Sequence, residues 1–187
     1  MKNLLFIVLL LFSKINGQHK EYNFIKLNKT IEKSEKILKV KYLSSTSSWD
    51  IGNKNIYTLS KFVVNDRILG QSNDTINITT RGGIVGSSGQ IVFPKIKFKK
   101  NTEYVVFLNE DILKLKDVEE KSHKITNEKH GLFKFKNNDV IENIYYEFET
   151  YPEFKSKIKY SKENDINLDF NKYKISEEIS DIKYFNS

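Results

Sequence analysis

The side chains that most often carry out chemistry in proteins are sparse in this chain. Its 187 residues contain three histidines and no cysteine, so a cysteine nucleophile, a zinc finger and a thiolate-bound iron–sulfur cluster are excluded. The histidines are His19, His123 and His130. They lack the spacing of a zinc-binding helix motif, and we expect them to be exposed to solvent. The sequence therefore predicts no metal site and no cofactor.

Two glycine-containing motifs fail as catalytic or phosphate-binding signatures. Gln90 stands where the nucleophile elbow GxSxG requires its last glycine. The run 82–86, GGIVG, does not fit the dinucleotide fingerprint, and no Gly-Lys-Ser/Thr follows it to make a phosphate loop. Glycines between strands usually serve the backbone, through a positive φ or close chain packing, and a proline ends a strand. We therefore predict structural roles for Gly82, Gly83, Gly86 and Pro94, with a positive φ at one or both of the first two.

Acidic side chains lie near several predicted strand ends. A general acid and a general base need two carboxylates that face each other across a cleft, and no spacing in this chain selects such a pair. The sequence therefore predicts no catalytic residue, and a small hydrolase with an unrecognised carboxylate pair is kept as an alternative function. The acids considered are Asp66, Asp74, Glu103, Glu110 and Asp111.

The only tryptophan, Trp49, lies in a stretch rich in small polar residues, 44–55, SSTSSWDIGNKN. We predict a loop there. Two interpretations of Trp49 are open. It is either an exposed anchor of a binding site, a role in which tryptophan is common, or a lid that folds back on the core.

The N-terminal segment has the layout of a secretory signal peptide. Residues 1–17 place Lys2 before the apolar run 4–12 and end on the small Gly17. That run is too short for a transmembrane anchor. We expect cleavage near Gly17, and a mature chain that begins at Gln18 and is periplasmic or secreted.

The remaining chain predicts one β-rich domain over residues 18–160 and a polar C-terminal segment over 161–187. The formal net charge is +7, and the lysines are spread among acids along the chain. A nucleic-acid-binding surface would concentrate Arg and Lys on one face with aromatic side chains between them. No nucleic-acid partner is therefore expected.

The spacing of apolar residues predicts a mainly β fold. Ile76 and Ile78 alternate with polar neighbours, and the run 103–109, EYVVFLN, is typical of a buried strand. Asn28 is predicted to cap a short N-terminal helix. Five or six strands with uneven loops favour a small antiparallel barrel or sandwich, because closing a sheet removes its edges. Strands are predicted at 36–46, 55–68 with a bulge near 59–61, 75–80, 89–93, 103–109, and on both sides of a turn at 137–139.

Two further stretches are less regular. Residues 110–130 are charged, and we predict a long loop with a short strand at 112–115. Residues 144–160 are rich in aromatic side chains and form either one more strand or a short covering helix.

An ordered set of short motifs runs through residues 49–108. It resembles a β-barrel module found near the start of secreted proteins of flavobacteria and other Bacteroidota. More broadly, it is similar to the OB-like barrel of netrin-type modules and tissue inhibitors of metalloproteinases. The likeness covers 37–108 well and 130–160 loosely, and it departs at 65–70, where NDRILG replaces the usual Lys-Gly ending. The motifs are Trp49-Asp50, Ile56-Tyr57-Thr58, Leu69-Gly70, Ile76-x-Ile78-x-Thr80-x-Gly82-Gly83-x-Val85-Gly86, Pro94 and Tyr104-Val105-Val106-Phe107-Leu108.

The resemblance implies a fold and a function. The fold would be a small antiparallel OB-like barrel of five to six strands, with one short N-terminal helix and a loose C-terminal segment. The function would be that of an exported, non-enzymatic module that binds a protein or a glycan at the cell envelope. An accessory or inhibitor of a secreted peptidase is the alternative that the family's neighbours imply. The metalloproteinase inhibitors place an N-terminal cysteine on zinc, and this chain has no cysteine, so their mechanism is not carried over.

The same resemblance makes Thr75 a candidate glycosylation site. Asp74-Thr75-Ile76 fits the Asp-Ser/Thr-apolar pattern that is O-glycosylated in exported proteins of this bacterial group.

Overall fold

The computed structural model describes residues 27–93, 96–116, 118–128, 130–135, 141–143, 147–148 and 150–164. The predicted signal peptide, Pro94, the turn at 137–139 and residues 165–187 lie outside the described residues. A first helix, α1, is described over 27–33. The other elements are β1 Lys36–Trp49, β2 Ile56–Leu69, β3 Thr75–Arg81, β4 Gly83–Val85, β5 Ser88–Gln90, β6 Glu103–Asp111, β7 Ser122–Ile125, β8 Leu132–Phe135, β9 Ile141–Glu142, β10 Glu147–Phe148 and α2 Tyr151–Asn164.

Five of the strands form a ring-like sheet in the order β1-β2-β3-β7-β6, which closes because β6 also pairs with β1. Strands β8, β9 and β10 continue the sheet outward from β6. Strands β4 and β5 form a separate small hairpin. This arrangement confirms the predicted mainly β, OB-like architecture with a short N-terminal helix.

One pair in the ring departs from the antiparallel prediction. Strands β3 and β7 run parallel, while the other ring pairs are antiparallel. The cause is the number of strands. Up and down directions can alternate around a closed ring only when the number of strands is even, so a ring of five must contain a parallel pair.

The core has two parts, one on each side of the shared strands β1 and β6. The inside of the ring holds Leu38, Val40, Phe62, Ile78, Val106 and Leu108 among others. The outer faces of β1, β6 and β8 are covered by the two helices through Leu27, Ile31, Phe154 and Ile158. Burial of apolar surface on both sides explains why the run from Tyr104 to Leu108 is at most 3% exposed. The prediction that this strand is deeply buried is confirmed.

Strand β1 is longer than predicted, and this corrects the loop expected at 44–55. Residues 44–49 pair with β2 up to Trp49↔Ile56. Small polar side chains seldom indicate a strand, but here the Ser47 and Thr58 hydroxyls hydrogen-bond across the pair at 3.1 Å. The bulge predicted near 59–61 is instead on the partner strand, where the register slips between Tyr42 and Ser44.

Two other predictions about the loops are wrong. The stretch 110–130 contains strand β7, SHKI, in which Lys124 is exposed between the buried His123 and Ile125. The predicted strand at 112–115 is reduced to one isolated bridge between Leu115 and Asp50. Upstream, the strand predicted at 89–93 is the shorter β5, and its partner β4 begins at Gly83, one of the glycines predicted to lie between strands.

The helices also refine the prediction. Asn28 lies inside α1 rather than at its N-cap. Both interpretations of the aromatic stretch hold in part, since it contains the short strand β10 and the helix α2. Helix α2 continues past residue 160 to Asn164. None of the described helices is long and apolar enough to cross a membrane.

Candidate functional site

A cleft with a volume of about 640 Å³ opens at one end of the ring. It lies where the start of β1, the β2–β3 loop, the start of β3 and the start of β7 meet. We call it the mouth cleft, and most of the side chains that line it are polar. They are Lys36, Lys61, Gln71, Ser72, Asn73, Thr75, Ile76, Asn77, Glu110, Glu120, Lys121, Ser122 and His123.

Strand alternation explains why three charged or titratable residues meet at the end of an apolar ring. Leu38, Leu108 and Ile125 point into the ring. Successive side chains on a strand alternate between its two faces. The residues two positions away from these three therefore face the same way. Those residues are Lys36, Glu110 and His123. They therefore close the apolar interior with polar groups at the point where the ring meets solvent.

His123 is the most enclosed titratable group in the mouth cleft. Its side chain is 9% exposed, and the Lys36 ammonium nitrogen lies 2.9 Å from Nε2. A protonated lysine can only donate, so Nε2 accepts and the ring proton of a neutral His123 lies on Nδ1. Nδ1 faces the backbone of Asn77 without a hydrogen bond of good geometry to any described residue.

The environment keeps His123 neutral at neutral pH. Burial, reinforced by the Lys36 ammonium, holds the pKa of His123 below its ordinary value of 6.5. The backbone of Asn77 and the carboxylates of Glu110 and Glu35 oppose this shift more weakly. A neutral ring with its proton on Nδ1 offers a donor, while its acceptor nitrogen is already used by Lys36.

The wall of the mouth cleft formed by β3 is held by an amide–carboxylate contact. Asn77 is 8% exposed, and its side-chain amide donates to the Glu120 carboxylate. This contact fixes the segment before β7 against β3. The opposite rim is the β2–β3 loop, where the Ser72 hydroxyl is buried and has no partner among the described residues. Buried polar atoms are normally hydrogen-bonded, so Ser72 Oγ marks a position where a bound polar ligand would complete the pairing.

The charge of the lining is nearly balanced. Three lysines and two glutamates line the mouth cleft. A metal site is not supported, because no group of three or more His, Asp or Glu side chains with suitable placement occurs in the described part of the chain. The expectation that the histidines are solvent-exposed is wrong for the two that are described, since His123 is 9% and His130 is 3% exposed. His19 lies outside the described residues.

Trp49 lies apart from the mouth cleft. It ends strand β1, and its side chain is half-buried and belongs to neither core cluster. Its carbonyl oxygen accepts a hydrogen bond from the backbone of Lys116 at 2.8 Å. Next to it, Ser48 donates to the Lys116 carbonyl at 2.6 Å. Trp49 is therefore neither a freely exposed anchor nor a fully buried lid, and its role in binding stays a prediction.

The glycines have the backbone geometry that was predicted for them. The φ angles are 86° at Gly82 and 150° at Gly83, which confirms the predicted positive φ. A Cβ on Gly83 would lie 2.7 Å from the Thr58 hydroxyl, closer than real side chains approach. Gly86, with φ 59°, supplies the first central residue of the β4–β5 turn. Pro94 lies outside the described residues.

Thr75 begins β3 and is exposed at the edge of the mouth cleft. An attached glycan at this position would cover the opening. Glycosylation of Thr75 stays a prediction.

Sequence reasoning missed the residues that define the mouth cleft. Lys36, Asn77 and His123 are far apart in the chain and have no motif spacing. The one available signal was the alternation of His123 and Ile125 with polar neighbours, which would have placed a strand in the charged stretch. Without that strand, the ring and its open end could not be assembled from the sequence.

The fold and the site define an OB-like β protein with a polar cleft at the open end of its five-stranded ring. Comparison with protein-family models, with curated proteins and with solved structures gave no match to the chain. The resemblance to the flavobacterial module therefore stays a prediction.

Proposed function

We propose that this protein is an exported, non-enzymatic binding module of the cell envelope or extracellular space, and that its ligand is a glycan held in the mouth cleft. The observation that carries the proposal is the composition of the mouth cleft. Amide, hydroxyl and oppositely charged side chains converge there, together with the buried Ser72 hydroxyl, which has no partner among the described residues.

A neutral polyhydroxyl ligand suits this lining better than the other ligand classes do. Each sugar hydroxyl both donates and accepts hydrogen bonds, and it can therefore pair with lysine, carboxylate and amide side chains alike. A nucleic-acid backbone would place phosphates beside Glu110 and Glu120, which repel them. The face of the second and third strands is also where OB folds bind oligosaccharides, and Lys61, Thr75 and Asn77 belong to β2 and β3.

The test is a screen of the protein on immobilised neutral and acidic oligosaccharides, followed by calorimetric titration with the strongest binder. The double variant Gln71→Ala/Asn73→Ala removes two exposed amides of the rim. It should weaken binding roughly 5- to 100-fold, corresponding to about 0.5–1.5 kcal/mol for each lost hydrogen bond. Lys124→Ala, an exposed residue of β7 outside the mouth cleft, is the matched control and should bind like the parent. Equal binding by the double variant and the parent would remove the cleft from the proposal.

A protein ligand contacted by Trp49 is the second candidate, favoured by the half-exposed ring at the end of β1. Recovery of a partner from envelope extract that Trp49→Ala loses and Gln71→Ala/Asn73→Ala keeps would support it. If that partner were a peptidase, the accessory or inhibitor alternative would gain support.

The hydrolase alternative depends on Glu110 and Glu120, which both line the mouth cleft. It requires that the bound oligosaccharide be cleaved. Chromatography of the titrated mixture tests this. Detection of cleaved product would replace the non-enzymatic proposal with the enzymatic one.

A further inference from the structure

One segment of the chain has an unbalanced charge. Between Asp74 and Glu103 the sequence contains no acidic residue, although the whole chain carries 24 of them. The same segment contains five cationic residues, namely Arg81, Lys95, Lys97, Lys99 and Lys100. A local concentration of one sign over nearly thirty residues creates an attractive field for anions.

The same segment exposes large apolar side chains. Phe93 is 83%, Ile84 is 73% and Ile91 is 69% exposed. Isolated exposed apolar residues are ordinary, but a group of them within one short segment marks an interaction surface. We call the group of Ile84, Ile91, Phe93, Lys97, Lys99 and Lys100 the apolar–cationic surface.

The base of the β4–β5 hairpin is fixed to the ring. The Thr58 hydroxyl donates to the Gly82 carbonyl at 2.7 Å, and the backbone amide of Ile56 donates to the Gln90 side chain at 2.6 Å. Gly83 lies against Ser47 and Thr58 with no room for a Cβ. The exposed isoleucines therefore extend from a fixed base and cannot turn inward without breaking these contacts.

In residues 96–99, beyond the hairpin, side chains that pack on the ring alternate with side chains that are exposed to solvent. Ile96 and Phe98 pack against the interior of the ring, and Phe98 makes an edge contact with Phe62 at a centroid distance of 4.8 Å. Lys97 and Lys99 are exposed on the opposite side. Cations and apolar side chains of this segment are thus both presented to solvent.

We propose that the apolar–cationic surface docks on an anionic phospholipid bilayer. The lysines would contact the anionic headgroups, and the exposed aliphatic and aromatic side chains beside them would enter the boundary of the acyl chains. A second copy of this chain would bring like charges together, and of Ile84, Ile91 and Phe93 only Phe93 could stack on a nucleobase. This inference goes beyond the proposed glycan binding and uses residues outside the mouth cleft.

Sedimentation with vesicles tests the proposal. The full chain should bind vesicles that contain phosphatidylglycerol at least tenfold more tightly than vesicles of phosphatidylcholine alone, roughly as expected for several cations at the surface. Ile91→Ser/Phe93→Ser should lower binding roughly tenfold or more, because two apolar side chains no longer enter the bilayer. Lys97→Gln/Lys99→Gln/Lys100→Gln should lower it by a similar factor. All variants share residues 1–17, so any contribution of that segment is common to them.

Two controls match these variants. Ile112 is 90% exposed and follows Asp111 on the β6–β7 loop, so Ile112→Ser should bind like the parent. Lys29→Gln/Lys33→Gln/Lys124→Gln removes three exposed cations elsewhere and should weaken binding much less than the triple variant of the surface. Equal losses in both triple variants, equal binding to the two vesicle types, or no binding at all would overturn the proposal. A parent protein that self-associates through Phe93 in sedimentation analysis, and binds no vesicles, would assign the surface to a second copy instead.

Discussion

At the scale of single residues, two glycines of the hairpin region differ in the reason they are needed. Gly83 combines a positive φ with contact against Ser47 and Thr58, whereas Gly86 has a positive φ and open space where its Cβ would be. An alanine would be destabilised by the positive φ at both sites, but it would overlap neighbouring atoms only at Gly83.

Alanine substitution should therefore separate the two effects. We expect Gly86→Ala to lower the free energy of unfolding by about 1 kcal/mol, and Gly83→Ala to lower it by about 2 kcal/mol or more. Urea denaturation of both variants measures the difference. Equal losses would mean that the contact of Gly83 with Ser47 and Thr58 has no energetic consequence.

The titration of His123 makes the free energy of unfolding of the protein depend on pH. Its pKa in the folded protein lies below its ordinary value of 6.5, first because it is buried and second because Lys36 is near. Between the lowered pKa and 6.5 the unfolded chain binds a proton that the folded protein does not. Stability is therefore present above pH 6.5 and decreases as the pH falls through this window.

His123→Gln should reduce this dependence, because glutamine can still accept a hydrogen bond from Lys36 but does not titrate. We expect the free energy of unfolding of the parent to fall from pH 7 toward pH 5, and that of the variant to change less. The acids with lowered pKa, Asp50 and Asp66, titrate below their ordinary value of 3.8, outside the window of His123. Parallel pH profiles for parent and variant would contradict this assignment.

At the scale of elements, helix α2 is part of the fold. Phe154 is 1% exposed and packs its ring 5.3 Å from that of Phe133. The Tyr151 hydroxyl and the Lys155 ammonium both donate to Asp66 on β2. Burial and the Asp66 carboxylate raise the pKa of Tyr151, so its hydroxyl stays protonated and able to donate. The helix therefore covers the outer face of the ring through an apolar and a polar contact.

Truncating the apolar contact tests this role. Phe154→Ala should lower the free energy of unfolding by about 3–5 kcal/mol, as expected for a buried aromatic ring. Lys159→Ala, on the exposed side of the same helix, should change it by less than about 0.5 kcal/mol. A loss below about 1 kcal/mol for Phe154→Ala, measured by thermal and denaturant unfolding, would show that the helix does not contribute to the core.

The elements also show how far the sequence could predict the fold. Strands β2, β3 and β6 were predicted within two residues at each end because apolar alternation or a continuous apolar run marks them. Residues 47–49 and strand β7 were missed, because serine, lysine and histidine give no strand signal until a partner strand is in place. The parallel β3–β7 pair depends on the number of strands in the ring and cannot be derived from any local pattern.

At the scale of the whole molecule, the ring creates a site that no segment contains. The start of β1 brings Lys36 to His123, which is 87 residues away in the sequence. The β2–β3 loop adds amides and a buried hydroxyl to the same opening. The sequence predicted an exported binding module, with Trp49 as either a candidate anchor or a lid on the core, but it could not predict the long-range closure that forms the mouth cleft.

Two surfaces of the molecule are distinct in composition. The mouth cleft mixes cations, carboxylates and amides, whereas the apolar–cationic surface contains no acid. The proposed glycan and the proposed bilayer would contact different residues, because the two sets of residues do not overlap. Export, which the N-terminal segment predicts, would bring both ligands within reach of the chain.

The central claim is that a ligand occupies the mouth cleft. The most direct measurement is the change in backbone amide NMR shifts on titration with the oligosaccharide selected in the binding screen. The account predicts that the largest changes fall on residues 71–77 and 120–123, which line both sides of the opening. Largest changes at Trp49 or at the β4–β5 hairpin, with residues 71–77 and 120–123 unaffected, would contradict it.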